Sequence, residues 1–170
     1  MHTVEIKYDF LRLILCDLLF AAVVYCLPAI SHLTSFPLYV IEPFRLMILF
    51  ALIAFGSKNN AMVLAITLPF FSFIVSGHPI VLKMMLISFE LLTNILLFDF
   101  LNKTIKNPVF AILLAILVSK AVYYLLKYIL VFNGFLDMSI VSTSLWVQLL
   151  VAIITALCFG YWMNRKVNLQ

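Results

Sequence analysis

Along the chain, long apolar runs alternate with short polar breaks. The first run covers residues 11–30, after which Ser31-His32, Pro37 and Pro43 mark a connection that reaches to Arg45. Two shorter runs follow at 46–56 and 62–75, separated by Ser57-Lys58-Asn59-Asn60. Such a tetrad suits a tight turn between two helices or a polar interruption within one. Ser76-Gly77-His78-Pro79 closes this region, and the later runs are unambiguous at 80–101, 108–132 and 145–163. Pro108 suits the first turn of a helix, where its missing N–H leaves no bond unmade. At 1.5 Å per residue the two short runs span only about 17 and 21 Å, less than a hydrocarbon core. Anchored together at the Lys58 turn, they leave room for a cavity on the outer side; alternatively the second helix begins earlier, near Ile41.

Composition turns these runs into membrane spans. Of 170 residues, 66% are apolar and 11% charged, and the mean hydropathy is +1.20. A soluble surface cannot be built from that mixture. Since a spanning helix takes ~20 residues, the chain accommodates roughly six or seven passes and no soluble domain. A fused ATPase, a nucleic-acid module and a large receptor head are therefore excluded. The apolar stretch after Met1 to Phe10 lacks a small-residue cleavage site followed by a polar chain, so a first spanning helix is expected rather than a signal peptide.

Charge decides the parity. With six helices, Lys7, Arg12, Lys58, Lys103, Lys106, Arg165 and Lys166 share one side, whereas the opposite side carries Arg45 and Lys83 at helix edges. Basic residues are retained on the cytoplasmic side, so the net charge of +4 is read as membrane topology rather than affinity for nucleic acid. With five passes the pattern is lost. The expected fold is thus all-α: one polytopic membrane domain over 1–170, six transmembrane helices, both termini cytoplasmic. Trp146 at the outer end of the last helix and Tyr161-Trp162 at its inner end suit the two interfaces.

Ionisable residues at membrane depth need a reason to be there. Lys83, Ile87, Glu90 and Asn94 share a helix face by spacing, and so do Lys120, Tyr124 and Lys127 in the following helix. Glu90 and Lys120 form either a structural ion pair or part of a ligand site. Lys83 and Lys127 either snorkel to the outer interface or, with Arg45, make the outer half basic and receptive to an anion. Trp146, Gln148 and Asn133 are expected on the wall of such a pocket, with His78 a candidate from the loop. Asp17, within reach of Arg12, and Asp99 read as structural. No HExxH, paired-carboxylate or glycine-rich phosphate pattern occurs, so no catalytic set, metal site or cofactor is expected. Cys16, Cys26 and Cys158 lie singly in apolar runs and read as packing residues. Ala152, Ala156 and Gly160 make two successive small-x-x-x-small steps, an interface either within the chain or with a partner; Ala61/Ala65 and Ala111/Ala115 make single steps.

The stretch Pro69-Phe-Phe-Ser-Phe-Ile-Val-Ser-Gly-His-Pro79, followed by Met84-Met85-Leu-Ile-Ser-Phe-Glu90-Leu91, resembles the S components of energy-coupling factor (ECF) vitamin transporters. Size and a six-helix topology agree with that family. The resemblance implies a substrate-binding subunit in a prokaryotic plasma membrane, capturing a vitamin from outside under the first, third and fifth loops. It also implies a transmembrane coupling subunit and two cytoplasmic ATPases as partners. The family's A-x-x-x-A in the first helix, a partner-contacting motif, stands here as Ala22-x-x-x-Cys26, and its glycine-rich second and third helices are reduced to Gly56. The other class compatible with this length and topology is a membrane scaffold of the rod-shape morphogenesis type, which would bind no vitamin.

The charge asymmetry yields a direct test. Cysteines introduced singly at Asn59, Asn102 and Asn133 are expected to react with an impermeant thiol reagent from outside only at Asn133. Outside labelling at Asn102 would overturn the topology.

Overall fold

The computed structural model describes residues 2–77, 80–137, 139–141 and 143–167. Its helices are α1 (His2–Thr34), α2 (Pro43–Phe55), α3 (Lys58–Ser76), α4 (Val81–Thr104), α5 (Pro108–Phe132) and α6 (Leu145–Val167), with a 3-10 turn at Leu38–Ile41 before α2. Among the described residues six segments are long and apolar enough to cross a membrane, the second being the 3-10 turn joined to α2, Leu38–Phe55. The chain is thus a multi-pass membrane protein by length and composition. With six segments running alternately up and down, the start of α1 and the end of α6 lie at the same end of the bundle.

Local chemistry explains where the helices break. Gly56 takes φ +66°, a left-handed conformation open to glycine without steric penalty, and its N–H closes α2 on the Leu52 carbonyl at 3.0 Å. The Ser57 side chain then accepts from the Asn60 N–H at 3.3 Å, an N-cap that starts α3 at Lys58, ahead of its apolar run. The tetrad is therefore a turn and a cap. At the other end of α2, Pro43 occupies the first helical position, and a proline there disfavours the right-handed helical conformation for the residue before it. Glu42 adopts φ 56°, ψ 57° instead. Its N–H bonds the Tyr39 carbonyl at 3.1 Å, and its own carbonyl accepts from Arg45 N–H at 3.0 Å. The second span therefore begins well before Leu46, its missing length supplied by the 3-10 turn and the first turn of α2.

Two apolar clusters fill the bundle and α2 contributes to both. Phe20 and Val24 of α1 meet Ile48 and Ala51 of α2, Leu64 and Ala65 of α3, and Ile95 of α4. On the other flank Leu49 and Ile53 of α2 pack with Ala111, Ile112, Ala115 and Ile116 of α5 and with Ala152 and Ala156 of α6. Successive helices from α2 to α6 pack side by side, and α6 returns to α2, so that five helices form a closed ring with α1 laid against α3 and α2. Lys166 fastens the closure by donating to the Ile53 and Ala54 carbonyls at 3.0 and 3.1 Å, groups left without partners at the end of α2.

The small-residue stripe of α6 lies inside the chain. Ala152, Ala156 and Gly160 are all buried, the two alanines within the α2/α5/α6 cluster. A Cβ added at Gly160 would stand 2.5 Å from a side-chain carbon of Val109, 2.8 Å from its Cα and 2.9 Å from its N. This stripe is thus occupied by α5 and is not open to another subunit. Ala22 and Cys26, by contrast, are exposed on α1. At the end of the bundle that carries both termini, Asp99 binds Lys58 at 2.6 Å and Lys103 at 3.3 Å, and Asp17 accepts from Asn60 at 3.1 Å.

Because the atoms facing Gly160 include backbone, Gly160→Ala must push α5 and α6 apart. A loss of about 1–3 kcal/mol is expected, the usual range for overpacking a tight contact. Denaturation in detergent measures it.

Candidate functional site

A cavity of about 680 Å³ opens at the end of the bundle opposite the termini. That volume lies within the range of small-molecule sites, ~300–1,000 Å³. All six helices contribute to its wall: the C-terminal parts of α1, α3 and α5, and the N-terminal parts of α2, α4 and α6. The apolar wall comes from residues such as Leu27, Phe44, Ile87 and Leu91, with Tyr39, Tyr123 and Tyr124 adding rings that carry hydroxyls.

At its floor four charges compensate one another. Arg45, in the first turn of α2 and 3% exposed, bridges Glu42 and Glu90 with its two terminal nitrogens. Lys120 of α5 pairs with the other oxygen of Glu42 and lies 3.9 Å from Glu90. The main partner of Glu90 is therefore Arg45, and Lys120 chiefly serves Glu42. Among the described residues, Arg45 Nε is the buried side-chain nitrogen or oxygen without a hydrogen bond. One turn below Glu90, Asn94 donates to Ser119 at 3.3 Å, fixing α4 against α5 with a buried polar contact.

The network continues into α6 and the loop before it. Gln148 Oε1 accepts from the Tyr124 hydroxyl at 2.7 Å and from Lys120 at 3.3 Å, and Gln148 Nε2 donates to the Thr143 carbonyl at 2.8 Å. Lys127, 1% exposed, donates to the Ile140 carbonyl at 2.9 Å and stands 6.0 Å from the centre of the Tyr123 ring. Lys83, half-buried in the first turn of α4, lines the cavity and has neither an ion-pair nor a hydrogen-bond partner among the described residues.

Of the residues expected in a pocket, Arg45, Lys83, Glu90, Lys120, Tyr124, Lys127 and Gln148 are brought to this one cavity. Trp146 is not; it is 80% exposed on the outside of α6. Asn133 caps the end of α5, its side chain donating back to the Ile129 carbonyl at 2.7 Å, away from the cavity wall. His78 lies outside the described residues. Glu42, Tyr123 and His32 join the wall without having been singled out. Glu42 had a signal: an acid three residues ahead of Arg45, with Pro43 marking a helix start between them.

Summed over the wall, the four basic residues Arg45, Lys83, Lys120 and Lys127 face the two carboxylates of Glu42 and Glu90, an excess of two formal positive charges. Such an arrangement can hold an acidic group while apolar and aromatic surface covers the rest of the molecule. Among the described residues no cluster of His, Cys, Asp or Glu is placed to hold a metal ion. Compared with known proteins, the chain matches no family model, no curated protein and no solved structure.

The floor network predicts a stability effect. Glu90→Gln leaves Arg45 and Lys120 to share Glu42, and a loss of about 3–5 kcal/mol is expected, as for other broken buried pairs. The double change Arg45→Met with Glu90→Leu removes the burial of both charges and should recover much of that loss. Thermal denaturation of the three proteins in one detergent decides the matter.

Proposed function

We propose that the protein is the substrate-binding subunit of an ECF-type vitamin uptake system and takes a small, anionic, partly apolar molecule into this cavity. One observation carries the reading: the wall holds two more lysines and arginines than carboxylates, in a site lined for the rest by apolar, aromatic and neutral polar side chains. A cavity used only for packing has no need of uncompensated charge at membrane depth, where each such group is expensive. The motif from Pro69 to Leu91 adds the transport class. The cavity opens at the end opposite the termini, and the charge asymmetry, which favours cytoplasmic termini, supports an opening toward the outside of the cell.

In this reading the chain binds and its partners supply energy. No glycine-rich phosphate loop occurs in the sequence, and the exposed Ala22 and Cys26 on α1 offer a face to a transmembrane coupling subunit, itself driven by two cytoplasmic ATPases. The setting is a prokaryotic plasma membrane. Inside the cavity Lys127 is the anchor for the acid, because its ammonium is buried beside a neutral carbonyl and an aromatic ring rather than a carboxylate.

Mass spectrometry of small molecules that copurify with the detergent-solubilised protein is expected to find an acidic vitamin or precursor. One charge-assisted hydrogen bond contributes ~1.5–3 kcal/mol, so Lys127→Ala should weaken that ligand's binding roughly ten- to a hundredfold. A protein that purifies without any small acid and binds none added back is a scaffold, and the proposal then fails.

A further inference from the structure

We infer that the cavity selects molecules carrying two negative charges. The inference rests on the anionic-ligand reading above and deepens it by fixing the charge of the substrate class. The floor quartet is closed: Arg45 and Lys120 answer Glu42 and Glu90, two cations to two carboxylates. What remains is Lys83 on α4 and Lys127 on α5, and neither meets a carboxylate among the described residues. Both side chains line the same cavity. The Ile140 carbonyl satisfies one N–H of Lys127 but neutralises nothing.

A monoanion would leave one of these cations uncompensated at membrane depth, whereas a dianion closes the balance. Two chemistries supply that charge: one doubly ionised group, such as a phosphate monoester, or two carboxylates on one skeleton.

Glu42 sets the value of the balance. It is an acid already inside the site, held on a residue with a left-handed backbone, and its removal adds one positive charge to the wall. The preferred ligand charge should therefore shift with each variant: reduced by Lys83→Met or Lys127→Met, raised by Glu42→Gln.

The test uses the full chain in detergent at mildly alkaline pH and constant ionic strength, with binding read from thermal stabilisation. The probes are benzamide, benzoate, isophthalate and phenyl phosphate, which share one ring and differ in charge and its distribution. Isophthalate or phenyl phosphate is expected to bind about tenfold tighter than benzoate, the effect of one added charge-assisted contact, with benzamide weakest. In Lys83→Met the advantage of the dianion should shrink to about twofold or less, and in Glu42→Gln it should widen. A preference for phenyl phosphate alone assigns the phosphate monoester, and one for isophthalate alone assigns the dicarboxylate. Benzoate binding as tightly as both dianions would overturn the inference while leaving an anion site in place. Anions that do no better than benzamide would overturn both. A dianion preference undiminished in Lys83→Met and Lys127→Met alike would also overturn it, because the second charge would then be read elsewhere.

Discussion

A charge inside a membrane-spanning bundle persists where an opposite charge and enough hydrogen bonds meet it. Glu42, Arg45, Glu90 and Lys120 satisfy that condition together, and much of the fold follows from it. Arg45 can reach Glu90 because α2 begins at Pro43 and puts residue 45 in its first turn. Glu42 can reach both Arg45 and Lys120 because its backbone turns into the left-handed region, a conformation that costs a non-glycine residue about 1–2 kcal/mol. Glu90 and Lys120 come to one level because α4 and α5 are in register, a register also held by Asn94 and Ser119 one turn below. The same four side chains therefore join α2, α4 and α5 and form the floor of the cavity. Stability and the shape of the cavity floor cannot be altered independently at this point of the molecule.

How much of this was legible in the sequence depended on whether a property belonged to one helix or to two. The six spans were legible because apolar length is a property of each run alone. The shared faces of Lys83 with Glu90, and of Lys120 with Tyr124 and Lys127, were legible for the same reason, since 3.6-residue periodicity fixes them within a helix. Pairing between helices was not. Spacing brought Glu90 and Lys120 to similar depth, but the rotation and slide of α2 against α4 made Arg45 the closer partner.

Residues near helix ends were the least legible. Glu42 lay in what reads as a connection, and a 3-10 turn plus one left-handed residue turned it inward. Trp146 and Gln148 are two positions apart in α6 and so face different directions: Gln148 lines the cavity, and Trp146 is exposed. The stripe of Ala152, Ala156 and Gly160 announced a close helix contact without saying whose. Val109 at the start of α5, standing where a Cβ on Gly160 would be, supplies the answer.

The closed ring of five helices also orders the making of the protein. α6 is synthesised after the other five, yet it completes the ring by packing on α2, with Lys166 on the carbonyls at the end of α2. Until it arrives, Lys120 and Tyr124 have no Gln148, and the wall between α5 and α2 is missing. A nascent chain that has inserted five helices therefore holds its most polar side chains with part of their shelter absent. Retention beside the insertion machinery until α6 docks would protect it.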